Sequence, residues 1–254
     1  MSHETRQHVF LSPHPEDALL ACGGLMAYLH KQGHSVLVVV LFARVPPEGE
    51  EKAPDRHFAW PPRDRALWGQ VVSESAVAYH FLGVDVRYGQ YMPAPFRRHP
   101  LEGRRLYPAT WSYYRAPDAS EGDLPLRIAG EVSTLLTPEA QVYLPLALGG
   151  HVDHVLVSRT GRLLRQQGYE VFYYEEFPEV LRDRQVEKLP QRGWHSWLLP
   201  LSQEELNFKV RAIQEYRSLV PVLFGTEREI SRRVSDYMYT VSGLGYPAER
   251  YWTR

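Results

Sequence analysis

Ser12-Pro13-His14-Pro15-Glu16-Asp17 follows directly on the apolar run of residues 8–11, and its reading decides the fold. The run is short and apolar, as a buried strand requires, and the two prolines fix the backbone on either side of His14 and draw the chain out of extended geometry. Asp17 then opens a segment with Leu19, Leu20, Met26, Tyr28 and Leu29 at helical spacing, closed by Gly33, so residues 17–32 are predicted to form a helix. A second strand is expected over residues 36–42, whose near-continuous Val and Leu content suits a central strand covered on both faces. The same alternation continues outward, with helices predicted at 65–81, 124–136 and 155–167 and strands at 84–88, 141–145 and 171–174. This pattern predicts an α/β fold: a Rossmann-like, mostly parallel sheet with helices on both faces. Beyond it come a short strand at 197–199, the capping-box pattern Ser202-Gln203-Glu204-Glu205 for a helix reaching Tyr216, and a second helix start at 226–229. No repeat and no flexible linker divides the chain, so one domain over residues 1–254 is expected.

A second cluster, His151-Val152-Asp153-His154, stands after the strand-like residues 142–146 and Gly149-Gly150. Both clusters therefore fall at carboxyl ends of predicted strands, the edge at which open α/β sheets bind ligands. Taken singly, Asp17 reads as an acid stabilising a helix N-terminus and His14 as a turn residue. Taken together, the two clusters read as one divided metal site, in which His14, Asp17 and His154 would give three protein ligands and leave an open position for water or substrate. An open position points to catalysis rather than scaffolding. His30, His34, His57, His80, His99 and His195 lack comparable neighbours and read as surface or packing residues.

The composition agrees with a soluble enzyme. The chain has 254 residues, 44% hydrophobic and 23% charged, enough for an ample core. A net charge of -1 and a pI near 6.8 provide no positive field for nucleic acid or an anionic bilayer. The one cysteine, Cys22, excludes an intrachain disulfide and fits a reducing compartment. Residues 1–7 are polar, and the longest apolar run, residues 36–43, is too short to span a membrane. A cytoplasmic protein with no membrane or nucleic-acid partner is expected. Two long connections stand out. Residues 44–63 are Pro-rich and charged and leave the sheet beside the first cluster, as a substrate loop would. Residues 91–123 carry Arg97, Arg98, Trp111, Tyr113 and Tyr114 and read as a lid or a homo-oligomer contact.

The chain resembles the LmbE-like or PIG-L-type deacetylases, zinc-dependent hydrolases that remove acetyl groups from N-acetylglucosamine-containing molecules. The resemblance rests on Ser12 to Asp17 leading to Cys22-Gly23-Gly24 and on Gly150-His151-Val152-Asp153-His154. It is supported by the spacing of Glu74, Ala78, Leu82 and Gly83, by Tyr173-Tyr174-Glu175 and by Tyr216-Arg217-Ser218. It implies that His14, Asp17 and His154 hold Zn2+ or another divalent metal and that Glu16 is the general base. It implies further that a protonated His151, oriented by Asp153, holds the oxyanion and assists the leaving amine. The substrate implied is an N-acetylated sugar or sugar conjugate, with aromatic residues such as Trp60, Trp111, Tyr113 and Tyr114 stacking on sugar faces. Arg63, Arg65, Arg97 and Arg98 would hold an anionic group, and Glu175 would be a polar group of the pocket.

Three positions depart from the family pattern. Glu16 stands where relatives usually have aspartate, Val71 where many have a substrate-binding arginine, and Gly149 where some have a tyrosine, a role that goes unfilled or is taken by a tyrosine of the 91–123 segment. Two other readings are a nucleotide-sugar-binding or transferase module and a metal-binding but catalytically silent family member. The first lacks a G-x-G-x-x-G turn after the first strand. The second is raised by Glu16 and the altered substrate positions.

Overall fold

The apolar runs become strands whose side chains divide, residue by residue, between two cores. In β1 (Gln7–Ser12), Phe10 joins one core while Val9 and Leu11 join the other. α1 (Asp17–Lys31) leads to β2 (Ser35–Val40), where Val36, Val38 and Val40 face the first core and Val39 the second. α2 (Arg65–Phe81), β3 (Asp85–Tyr88), α3 (Leu124–Ser133), β4 (Gln141–Pro145), α4 (Val152–Gln166) and β5 (Glu170–Tyr174) continue the alternation. The C-terminal part adds β6 (His195–Pro200), α5 (Gln203–Gln214), the single turn α6 (Val220–Leu223), α7 (Glu227–Ser242) and β7 (Ala248–Thr253). The computed structural model describes residues 5–49 and 64–254, with the side chains of residues 184 and 185 excepted. Trp60, Arg63 and His57, with most of the expected substrate loop, lie outside the described residues.

Among the described residues, seven strands form one sheet in the order β3-β2-β1-β4-β5-β7-β6. The first five run parallel, whereas β7 is antiparallel to both β5 and β6. β7 was not expected from the sequence, where Ala248-Glu249-Arg250-Tyr251-Trp252-Thr253 gives too short and polar a pattern to stand out. Helices α1, α2, α5 and α7 cover one face and α3 and α4 the other, giving an α/β fold with a mixed, mostly parallel sheet. Among the described residues, no helix is long and apolar enough to cross a membrane.

The strand order sets the site. β1 lies directly beside β4, with His8 opposite Gln141 and Phe10 opposite Tyr143. Their following helices, α1 and α4, leave to opposite faces, so a crevice opens between the two carboxyl ends, where ligands bind in such sheets.

Cys22-Gly23-Gly24 has a packing role within α1. A β-carbon on Gly24 would lie 2.5 Å from Leu201 Cδ1 and 2.8 Å from Glu249 Oε1, so only glycine admits the buried Glu249 carboxylate. That carboxylate accepts the Gly24 and Leu25 amides at 2.9 Å each and pairs with Lys209 Nζ at 2.8 Å. The two glycines thus lie mid-helix against α5 and β7, and do not open a phosphate-binding turn.

Candidate metal centre

The turn joining β1 to α1 is pinned from several directions. The Ser12 hydroxyl donates to the His14 carbonyl at 2.5 Å and accepts the Ala18 amide at 3.0 Å. The His14 amide donates to Asp17 Oδ2 at 2.8 Å, which closes the turn upon itself. The Pro15 carbonyl accepts two buried tyrosine hydroxyls, Tyr79 at 2.9 Å and Tyr216 at 2.8 Å. Opposite it, Gly149 and Gly150 take φ of 72° and 73°, a left-handed backbone that glycine adopts without steric cost. A tyrosine at position 149 would be strained in that conformation, which accounts for its absence here. His151 then caps α4, its Nδ1 accepting the Asp153 amide at 3.2 Å. α4 consequently starts at Val152, three residues before the expected position, and carries Asp153 and His154 in its first turn.

His14, Asp17 and His154 converge in the crevice. Asp17 Oδ2 lies 3.2 Å from His14 Nδ1 and 3.2 Å from His154 Nε2, and those two nitrogens are 3.4 Å apart. A tetrahedral cation with ligand bonds of about 2.0–2.1 Å holds its donors roughly 3.3 Å apart, so the donor triangle has the size that such an ion imposes. The residues present fit a metal. Donor atoms of His14, Glu16 and Asp17 lie within 4.8 Å of one another, as do those of His14, His151 and His154, and all five residues are buried.

Each histidine of the triangle is held from behind by a carboxylate. His14 Nε2 faces Asp153 Oδ2 at 2.9 Å, and His154 Nδ1 faces Glu176 Oε1 at 3.2 Å. Such outer bonds fix ring orientation and tautomer, leaving His14 Nδ1 and His154 Nε2 to point at the metal position. Burial opposes a charge on His14, but Asp17 and Asp153 outweigh it and push the group up to about 9. Burial opposes charge on His154 too, and Asp17 and Glu176 raise it well above the ordinary value. Asp17, despite its burial, is held well below the usual carboxylate range by His154 and His14. A cation entering the triangle therefore displaces protons from imidazoles already oriented to receive it.

Several site expectations need correction. Asp153 does not orient the His151 ring: its carboxylate is taken up by His14, the Ala94 amide at 3.0 Å and the Arg97 guanidinium. The expected charge on His151 is also disfavoured. Burial, assisted by the neighbouring His14 and His154, holds it well below the ordinary value. With Nδ1 accepting an amide, the neutral ring carries its proton on Nε2, which is buried and has no hydrogen-bond partner among the described residues. Glu175 turns away from the crevice to Tyr237, Arg250 and Trp252, and its neighbour Glu176 reaches His154 instead. Arg65 bonds the Pro46 carbonyl at 2.6 Å, and Trp111 is exposed with Arg115 stacked 4.1 Å from its ring, so neither is drawn into the histidine cluster by any contact. The aromatic residues that do reach it are Tyr113 and Tyr114, whose rings lie 5.8 and 5.7 Å from His151, and Trp68, 5.8 Å from His14. Arg97 is buried against Asp153 and Glu121 and does not serve as a surface anion hook. Glu176 was missed because adjacent residues at a strand end point to opposite sides, and no local pattern says which one meets the site.

A family model described as PIG-L, GlcNAc-PI de-N-acetylase, matches residues 9–164, which include both histidine clusters. The chain belongs to this family. This PIG-L family chain is similar to 2'-N-acetylparomamine deacetylase of Niallia circulans, with 27% identity over 249 residues, 90% of this chain and 86% of the relative. A Streptomyces fradiae protein of the same name is 29% identical over 177 residues, 67% of this chain and 56% of that one. Among solved structures, the zinc-inhibited form of teicoplanin deacetylase Orf2 superposes with a TM-score of 0.81 at 23% identity, covering 97% of each chain. The PIG-L chain is thus a hydrolase of the N-deacetylase type whose site is suited to a divalent metal.

Proposed function

We propose that this PIG-L family enzyme hydrolyses the acetamide of an N-acetylated amino sugar or sugar conjugate, with Zn2+ held by His14, Asp17 and His154. The observation that carries the reading is the 3.2–3.4 Å donor triangle with Glu16 and His151 beside it in one buried crevice. When bound, the ion supplies a water of lowered pKa and a Lewis-acid contact for the amide oxygen. The Glu16 carboxylate takes the proton of the attacking water and returns it to the amine nitrogen as the C–N bond breaks, which yields acetate and a free amino sugar. The His151 Nε2–H donates to the oxygen on which negative charge develops, and a neutral donor in a buried site serves there without a desolvated charge of its own. Asp153 and Glu176 keep the two ligand rings in place. Tyr114, half exposed beside His151, is placed to meet the substrate at the mouth and to take the role that Gly149 leaves open.

The test is acetate release from a panel of N-acetylglucosamine, its glycosides and mono-N-acetylated aminoglycosides, using protein loaded with one equivalent of Zn2+. Turnover of at least one member is expected, with both bound zinc and turnover lost in His154→Ala. Protein that binds one zinc yet releases no acetate from any member overturns the hydrolytic reading.

A further inference from the structure

Asp153 gives one carboxylate oxygen to His14, and its other oxygen is held by a residue of the 91–123 segment, far from both histidine clusters in the chain. Arg97 follows a short 3-10 helix at Ala94–Phe96 and is buried. Its NH1 pairs with Asp153 Oδ1 and reaches the Met92 carbonyl at 3.3 Å, while its Nε lies 2.6 Å from Glu121 Oε1. The guanidinium is also in contact with two aromatic rings, 4.9 Å from the centre of Phe42 and 5.0 Å from that of Tyr107. Tyr107 in turn donates its hydroxyl to Glu121 Oε2. A continuous chain of contacts therefore runs Tyr107, Glu121, Arg97, Asp153, His14, from the segment into the donor triangle.

We infer that Arg97 is a positioning residue for the metal centre, acting through Asp153 to set His14. The inference rests on the reading of His14, Asp17 and His154 as the metal ligands. Two requirements meet at Asp153. Its carboxylate must present Oδ2 to His14 Nε2, so that Nδ1 is turned to the metal, and it must remain charged in a place that water does not reach. The guanidinium NH1 on Oδ1 meets both: it balances the charge and opposes rotation about the Cβ–Cγ bond. The Ala94 amide at Oδ2 adds a backbone bond from the same segment. Segment 91–123 thus builds part of the metal site from behind, and is more than a cover over its mouth. Outer partners of metal-bound histidines commonly change metal affinity by about 10–100-fold when removed.

The experiment measures Zn2+ affinity by competition with a chromophoric chelator for wild type, Arg97→Met, Arg97→Lys, Asp153→Asn and the double variant Arg97→Met/Asp153→Asn. Circular dichroism on the metal-free proteins establishes that each is folded. Arg97→Met is expected to weaken zinc binding by about 10–100-fold. Arg97→Lys should recover part of the loss, because it restores the charge without the planar group seated between Glu121 and the Phe42 and Tyr107 rings. In the Asp153→Asn background the Arg97→Met loss should largely vanish, a non-additivity that a merely structural role would not produce. Should Arg97→Met fail to fold, Arg97→Lys and the charge-matched double variant carry the same comparison. Zinc affinities within twofold of wild type in the folded Arg97 variants, or losses that add independently, overturn the inference while leaving the metal reading intact. Absence of stoichiometric zinc in wild type overturns both.

Discussion

Glu16→Asp restores the residue usual in the family, and the structure predicts that it slows this enzyme. The turn that carries position 16 has little freedom to move: the Pro15 carbonyl is held by Tyr79 and Tyr216, the His14 amide by Asp17 and the His14 carbonyl by Ser12. Behind the turn, α1 is locked by the Lys209–Glu249 pair. Shortening the side chain by one carbon therefore withdraws the carboxylate by about 1.5 Å, with no backbone shift to compensate. Misplacement on the order of 1 Å costs roughly a hundredfold in rate, or about 2.7 kcal/mol of barrier. Glu16→Gln keeps the length and removes the proposed proton acceptor, for an expected loss of about 10²–10⁴-fold. The assay is kcat/KM for acetate release from the best substrate of the panel, with zinc content measured on the same samples. Zinc should stay at one equivalent in both variants, since no ligand of the triangle is altered. An Asp variant as fast as wild type refutes the reasoning, because either the turn adapts or the base lies elsewhere.

Two further predictions concern stability. Lys209→Met leaves the buried Glu249 carboxylate with the Gly24 and Leu25 amides and the Tyr251 hydroxyl but no cation; a loss of about 3 kcal/mol is expected, lowering Tm by roughly 6–12 °C. Adding Glu249→Gln should recover much of it in thermal melts, and a single variant as stable as wild type counts against the pair as a clamp. His8, at the opposite end of β1, is lowered to about 4 by burial and by the charges of His34 and Arg6. Between pH 6.5 and about 4 the unfolded chain binds a proton that the folded chain refuses, so this contribution is fully present above pH 6.5 and is lost as pH falls through that window. Its size is about 2 kcal/mol after allowance for screening at the sheet edge. Denaturant midpoints at pH 7.5 and 4.5 should draw together in His8→Gln relative to wild type, and an unchanged difference excludes His8 as the source.

Much of the fold was legible because parallel strands buried on both faces leave near-continuous apolar runs, and the helices between them carry their own start and stop residues. The predicted strand over 141–145 coincides with β4, and the helix over 65–81 with α2. Boundaries failed where polar side chains serve the fold: His151 caps α4, so residues 152–154 read as a loop although they form its first turn. β7 was hidden because its pairing with β5 and β6 is supplied by strands from elsewhere in the chain.

By itself the sequence determined which residue types stand at the exits of β1 and β4, and hence that imidazoles and carboxylates are available at one edge of a parallel sheet. Only the tertiary structure decided that β1 and β4 are neighbours, that Asp153 supports His14 and not His151, that Glu176 rather than Glu175 meets His154, and that Arg97 closes the set from behind. Local periodicity records which way a side chain points relative to its own element. The field and the hydrogen bonds that a side chain meets are set by atoms brought within about 3 Å from distant positions, 139 residues apart for His14 and Asp153.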